Sequence, residues 1–126
     1  MTELKSIIVD NPIEKISRIT LNRAEKRNSL SANLRAELFE VLEKNDQDEN
    51  ISATIIRGSG KAFSAGYDLT GDPNEKDPYY TASGLGYWPR HVVDGCFKIW
   101  DLAKPVIAQV HGYCLVGGTE LAQSCD

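Results

Sequence analysis

The fold is decided by KPVIAQVHGYCLVGGTELAQSCD, residues 104–126, in which an apolar run, a glycine pair and a helix start follow one another. Lys104 and Pro105 end the preceding segment, and VIAQVHG is the kind of apolar run that forms a buried strand. From Gly117 onward the residues predict a helix. A strand that passes through a glycine turn into a helix is the repeating unit of α/β proteins, which bind ligands at the carboxyl ends of their strands.

The first part of the chain predicts a hairpin followed by a helix. The apolar runs SIIVDN and ISRITLN are separated by Asn11, Pro12 and Glu14, which is typical of a β-hairpin. Ser31 is a candidate N-cap for the helix. The apolar residues that recur at helical spacing after it are Leu34, Leu38, Val41 and Leu42.

The middle of the chain predicts a strand over 53–57, a long polar loop over 70–89 and a second helix over 90–102. The aromatic residues of that loop either cap the core or line a pocket; they are Tyr79, Tyr80, Tyr87 and Trp88. The whole order is two strands, helix, strand, helix, strand, helix. It predicts an α/β fold with a largely parallel sheet, and 126 residues suit one domain.

Composition disfavours several kinds of partner. The net charge of −4 comes from 18 acids and 14 bases without a basic block, so we expect no nucleic acid partner. The three cysteines form no C-x-x-C pair and the two histidines no H-E-x-x-H motif, so we expect no metal site and reduced thiols. With no long apolar run, we expect no membrane partner and a cytoplasmic location.

Familiar phosphate and nucleophile motifs do not fit. A Walker loop needs a glycine where Ile55 stands, and the dinucleotide fingerprint needs one at Phe63. No G-x-S-x-G elbow surrounds Ser59, Ser64 or Ser124. Nothing in these patterns supports a phosphate loop or a serine nucleophile.

Two glycine turns remain, SAGYD (64–68) and VGGTE (116–120), each placed after a strand. Glycines let a ligand approach the backbone, and the second turn is also a helix N-terminus, which favours an oxyanion. Glu120 lies three residues after Gly117, on the same helix face, and its carboxylate can reach a group bound there. The alternatives are that the glycines serve backbone geometry alone and that Glu120 is a dipole partner or capping-box residue. His111 is predicted to be a packed or hydrogen-bonded imidazole.

LNRAEKRNSLS, KAFSAGYDL and KPVIAQVHGYCLVGGTELAQSCD together resemble the enoyl-CoA hydratase/isomerase, or crotonase, superfamily. The resemblance covers essentially the whole chain. It implies a crotonase-like α/β fold, a ClpP/crotonase spiral of ββα units, with residues 1–126 as the N-terminal part of an acyl-CoA-binding domain. Val116 stands where many members have glycine, and Ala24 where proline is usual.

The resemblance also implies roles for individual residues. The backbone N–H groups of Tyr67 and Gly117 would form an oxyanion hole for the thioester oxygen, and Glu120 would be the catalytic acid/base. Arg27 matches a segment that contacts CoA, where a cation could meet a phosphate. The other residues expected to bind substrate or CoA are Ala65, Gly66, Asp68, Leu69 and Gly118.

The expected function is that of an enoyl-CoA hydratase or isomerase that stabilises an enolate of an acyl-CoA thioester. The alternative is a non-catalytic acyl-CoA-binding or assembly chain, because family members are longer and carry a second catalytic acid beyond the part matched here. The chain is therefore expected to be truncated at its C-terminus. No cofactor is expected apart from the coenzyme A of the substrate, and a homo-oligomer, a trimer or a dimer of trimers, is expected by resemblance.

Overall fold

The structure is a computed structural model that describes residues 3–70 and 88–126, and for residues 88–93 the backbone alone. Six strands and three α-helices are present in this part of the chain, together with a short 3-10 helix, Ala24–Lys26. In chain order they are β1 (Ile7–Ile13), β2 (Ile16–Leu21), α1 (Ala32–Gln47), β3 (Ala53–Gly58), β4 (Ala62–Ser64), α2 (Trp88–Trp100), β5 (Val106–Gln109), β6 (Tyr113–Cys114) and α3 (Gly117–Ser124).

The larger sheet has the strand order β1-β2-β3-β5. Strands β2, β3 and β5 are parallel to one another, whereas β1 pairs with β2 in antiparallel fashion. The predicted hairpin and the predicted parallel sheet are therefore both confirmed. Side chains alternate between the two faces of β3, and those of Thr54 and Ile56 face the core, with Ile56 fully buried.

The hairpin prediction is wrong in one detail, the position of its turn. β1 continues through Asn11 and Pro12 to Ile13, and a register shift lies between Asp10 and Ile13. Proline is tolerated there because β1 is an edge strand, whose outer N–H groups need no strand partner. The chain reverses only at Glu14 and at Lys15, which has a φ of 65°.

Helix α1 begins where its cap was predicted. The Ser31 hydroxyl accepts a hydrogen bond from Leu34 N, 3.1 Å away, and this satisfies an N–H that has no acceptor within the helix. The four apolar residues at helical spacing are all buried, and α1 packs across β1, β2 and β3. Buried Glu37 also receives the N–H groups of Lys5 and Ser6, each at 2.7 Å, and so fixes the entry into β1.

A second sheet of two short strands, β4 and β6, was not predicted. Strand β4 leads into the SAGYD turn and β6 ends just before the VGGTE turn, and the two strands pair in parallel with Ser64 opposite Cys114. With three and two residues they are too short to produce a recognisable alternation. This small sheet sets the position of the two glycine turns.

Helix α2 begins at Trp88, two residues before the predicted start, and ends at Trp100. The predicted loop over 70–89, including Tyr79, Tyr80 and Tyr87, lies largely outside the described residues, as does the side chain of Trp88. Within the described ranges, no helix has both the length and the apolar character needed to cross a membrane.

Candidate functional site

The two glycine turns contact one another at the carboxyl ends of β4 and β6. Leu115 N donates to Ser64 O at 3.0 Å, which continues the pairing of the small sheet into the second turn. A Cβ placed on Gly66 would lie 3.2 Å from Gly117 N. The sequence predicted two ligand-type turns, and the structure brings them together at one place.

Glycine is required in both turns, by the backbone conformation of the first and by close backbone approach in the second. Gly66 has a φ of +105°, which side chains of L-residues rarely adopt. A Cβ on Gly118 would lie 2.4 Å from Ser64 O, well inside van der Waals contact. Gly118 therefore packs the start of α3 against the end of β4.

The first turn is held by the loop that precedes α1. Ala65 N donates to Arg27 O at 2.9 Å, and Leu30 N donates to Gly66 O at 2.7 Å. Asp68 N in turn donates to Leu30 O at 3.2 Å. The backbone of this turn is thus paired with a segment about 40 residues earlier in the chain.

A buried asparagine completes this support. The Asn28 side chain is fully buried and donates to Ser59 O at 2.9 Å and to Ala62 O at 2.8 Å, while its oxygen accepts from Arg23 N. The Ser64 hydroxyl donates to Asn28 O at 2.8 Å and accepts from Gly66 N at 3.2 Å. Sequence reasoning missed both residues, because an isolated Asn or Ser has no spacing pattern.

The second turn is the N-terminus of α3. Gly117 is the first helical residue, so its N–H has no acceptor within the helix, and the positive end of the helix dipole lies there. Gly118 N donates to Leu115 O at 2.8 Å and Glu120 N to Val116 O at 3.0 Å. Val116, immediately before the helix, has a φ of 46° and a ψ of −113°, although valine is β-branched.

Glu120 faces the first turn and not the helix cap. Its Oε2 accepts a hydrogen bond of 2.8 Å from the hydroxyl of Tyr67. The N-cap residue Val116 offers no side-chain cap, and no capping box forms. Burial first, and then the neighbouring Glu120 carboxylate, raise the pKa of Tyr67 well above its ordinary value, so the phenol stays protonated.

Asp68 is engaged by its own loop and by Arg23. Its Oδ1 accepts from the Thr70 hydroxyl at 2.6 Å and from Thr70 N at 2.9 Å, and Oδ2 lies 3.0 Å from the Arg23 guanidinium. The Thr70 bonds, followed by Arg23, lower the pKa of Asp68 to about 2. The carboxylate therefore holds the turn in place, and its predicted contact with substrate stays a prediction.

The remaining predicted residues lie around the two turns. Arg27 and Ala65 line a surface pocket of about 300 Å³ together with Tyr113 and Leu115. Leu69 is 92% exposed. The predicted role of His111 as a hydrogen-bonded imidazole is confirmed, because its Nε2 lies 2.8 Å from Gly60 O. Within residues 3–70 and 94–126, no three His, Cys, Asp or Glu side chains come together in a way that could hold a metal.

Comparison with known proteins gives consistent matches. The family model described as enoyl-CoA hydratase/isomerase matches residues 13–126. A mitochondrial delta(3,5)-delta(2,4)-dienoyl-CoA isomerase of Mus musculus is 31% identical over 128 residues, which are 97% of this chain and 39% of that protein. The chain spans about two fifths of the length of the curated relatives it matches.

Solved structures agree with the sequence matches. The crystal structure of an enoyl-CoA hydratase from Bacillus anthracis superposes with a TM-score of 0.79 at 31% identity, over 97% of this chain and 46% of that one. An enoyl-CoA hydratase/isomerase from Xanthobacter autotrophicus gives a TM-score of 0.80 at 33% identity, over 98% of this chain and 45% of that one. The crotonase-like α/β fold expected from the sequence is confirmed.

Proposed function

Because the chain belongs to the enoyl-CoA hydratase/isomerase family, we propose that it binds an acyl-CoA thioester and stabilises the enolate formed from it. The observation that carries this proposal is the contact of the two glycine turns, together with the Glu120 carboxylate of the second turn, which contacts Tyr67 of the first. Such a site offers backbone N–H donors for an oxyanion and one carboxylate for proton transfer. The proposed chemistry uses no cofactor other than the coenzyme A of the substrate.

The backbone N–H groups of Tyr67 and Gly117 are the proposed oxyanion hole. The close approach of Gly66 to Gly117 N supports a common ligand between the turns, and the helix start supports negative charge. An oxyanion-hole donor stabilises charge that develops in the transition state, and the loss of one donor costs about 2.7–4 kcal/mol in well-studied enzymes. The thioester oxygen would accept from both amides as the enolate forms.

Glu120 is the proposed catalytic acid/base. Glu120 lies in the first turn of α3, three residues after Gly117, which would bring its carboxylate near the α-carbon of a thioester whose oxygen is held by that amide. In isomerisation it would accept the α-proton and return a proton to the γ-carbon. In hydration it would accept a proton from the water whose oxygen adds at the β-carbon, and would deliver that proton to the α-carbon of the enolate.

The pocket beside the first turn is the proposed site for the CoA moiety. Arg27 and Ala65 both line this pocket, and the Arg27 cation suits a phosphate. Gly66, Asp68, Leu69 and Gly118 complete the predicted binding set around the same turns. Self-assembly into a trimer or a dimer of trimers stays a prediction.

The test is Glu120→Gln in the purified full chain, with Glu49→Gln as the matched control. Glu49 is an exposed acid in the connection between α1 and β3, away from the glycine turns. We expect Glu120→Gln to lower turnover of crotonyl-CoA by at least about 100-fold, with CoA-ester binding largely unchanged, and the control to keep wild-type turnover. Unchanged turnover in Glu120→Gln would contradict the proposed role.

A second measurement separates catalysis from binding. Exchange of the α-protons of butyryl-CoA in deuterated water reports enolate formation even when no net reaction follows. Exchange that is lost in Glu120→Gln supports the proposal. Binding of the thioester without any exchange in the wild-type protein would contradict it and favour the alternative, a chain that binds acyl-CoA without catalysis.

A further inference from the structure

We infer that the hydroxyl of Tyr67 is a positioning group for Glu120, an inference that rests on the proposed function. The family resemblance gave Tyr67 a role through its backbone N–H alone. The structure adds a hydrogen bond of 2.8 Å from its phenol to Glu120 Oε2, between residues 53 apart in the chain. One residue would then contribute a backbone donor to the oxyanion and orient the carboxylate that moves the proton.

The ring of Tyr67 is confined between neighbouring groups. A Cβ on Gly117 would lie 2.4 Å from Tyr67 Cε2 and 2.9 Å from Cζ, so the ring packs directly against the first residue of α3. The guanidinium of Arg35, a buried residue of α1, lies 5.7 Å from the centre of the ring. Such packing holds the phenol in one orientation relative to the helix start.

The hydrogen bond distinguishes the two carboxylate oxygens. An ionised carboxylate can only accept, so the Tyr67 phenol must be the donor, and Oε2 is the oxygen it engages. Oε1 is then the oxygen better placed to accept a proton from substrate. The contact thus fixes the orientation of the carboxylate relative to the two turns.

A purely space-filling role for Tyr67 predicts a different outcome from a positioning role. Phenylalanine keeps the ring against Gly117 and removes the hydroxyl alone. If the ring is all that matters, Tyr67→Phe behaves as wild type. If the hydroxyl positions Glu120, the variant binds substrate normally but transfers protons poorly.

The experiment is a cycle of wild type, Tyr67→Phe, Glu120→Gln and the double variant, in the full chain with crotonyl-CoA. We expect Tyr67→Phe to lower kcat by about tenfold with KM within about twofold. In the Glu120→Gln background the same change should alter kcat by less than about twofold, since the group it positions is already gone. A wild-type kcat in Tyr67→Phe would overturn the inference.

A readout that is independent of activity separates this inference from the proposed function. Thermal unfolding of the same four proteins should be non-additive, because the two side chains share one hydrogen bond. Additive unfolding midpoints would overturn the positioning contact while leaving the proposed function intact. An inactive wild type that shows non-additive unfolding would overturn the proposed function, and the positioning role with it, although the contact itself would stand.

Discussion

The two glycine turns of the candidate site are held in place by different means. The first, 64–68, is paired with the loop over 23–30 and supported by buried Asn28. The second, 116–120, is shaped by its own helix start and by the strained backbone of Val116, a residue that is 72% exposed. The first turn therefore depends on residues far away in sequence, and the second on local backbone geometry.

This difference indicates where the site is vulnerable. A change in the loop over 23–30 alters the first turn through hydrogen bonds, although that loop contributes no residue to the oxyanion hole. A change in the second turn acts through backbone conformation and close packing. Four substitutions distinguish these two modes of support, in order of expected effect.

Gly118→Ala should have the largest effect, because it forces the two turns apart. The new Cβ would lie 2.4 Å from the backbone oxygen of Ser64, which cannot move without disturbing β4. Alanine favours a helix by about 1 kcal/mol over glycine, but overpacking of this kind costs about 3 kcal/mol. We expect the free energy of unfolding, measured in urea, to fall by about 2 kcal/mol or more. Gln123→Ala, an exposed change on the same helix, is the control, and equal stability of the two variants would contradict the close approach.

Asn28→Gly tests the remote support of the first turn. Asn28 has a φ of 53°, which glycine adopts readily, so this change removes the amide side chain without straining the backbone. The carbonyls of buried Ala62 and half-buried Ser59 lose their side-chain donor. We expect a loss of about 2 kcal/mol in urea unfolding.

The control for Asn28→Gly is Asn22→Ala, which alters an exposed asparagine just before the same loop. It should change the free energy of unfolding by less than about 0.5 kcal/mol. A similar small effect for Asn28→Gly would show that the backbone pairing with Arg27 and Leu30 supports the turn by itself.

Asp68→Asn tests the charged part of the same support and is sensitive to pH. The Asp68 side chain is 13% exposed, and its pKa is lowered to about 2 from an ordinary value of 3.8. A lowered pKa in the folded state stabilises the protein above about pH 4, and this stabilisation disappears as the pH falls towards 2. We expect Asp68→Asn to cost about 1–2 kcal/mol at pH 7 and to unfold with a weaker pH dependence between pH 4 and 2.

Exposed Asp101 provides the control for that measurement, since Asp101→Asn should leave both the stability and its acid dependence close to wild type. If Asp68→Asn kept the full wild-type acid dependence, other carboxylates would be responsible for it. The ion pair with Arg23 and the Thr70 hydrogen bonds would then contribute little to the first turn.

Val116→Gly should have the smallest effect and the opposite sign. A non-glycine residue at a φ of 46° costs about 1–3 kcal/mol in strain, against about 0.5–1 kcal/mol for the added flexibility of glycine in the unfolded chain. We expect the free energy of unfolding to rise by about 1 kcal/mol. Val110→Gly, at a valine with no positive φ and 47% exposed, should lower it, and a loss of stability at both positions would contradict strain at Val116.

Much of the fold could be predicted from the sequence because its signals are local. Ser31 caps α1, helix α3 begins at Gly117, and the strand over 53–57 appears within β3. The predicted turn of the hairpin was misplaced because Pro12 usually ends a strand, and only its place at a sheet edge allows β1 to continue.

The sequence by itself determined the order of the three helices and of the four strands of the larger sheet, the two glycine turns and the candidate acid Glu120, since periodicity, caps and glycine spacing act over a few residues. Only the tertiary structure decided that β4 and β6 pair, that buried Asn28 supports the first turn, and that the Tyr67 phenol meets Glu120. These contacts join residues tens of positions apart through single hydrogen bonds and short pairings. No local pattern encodes them, because they form only when the packed core brings the two turns together.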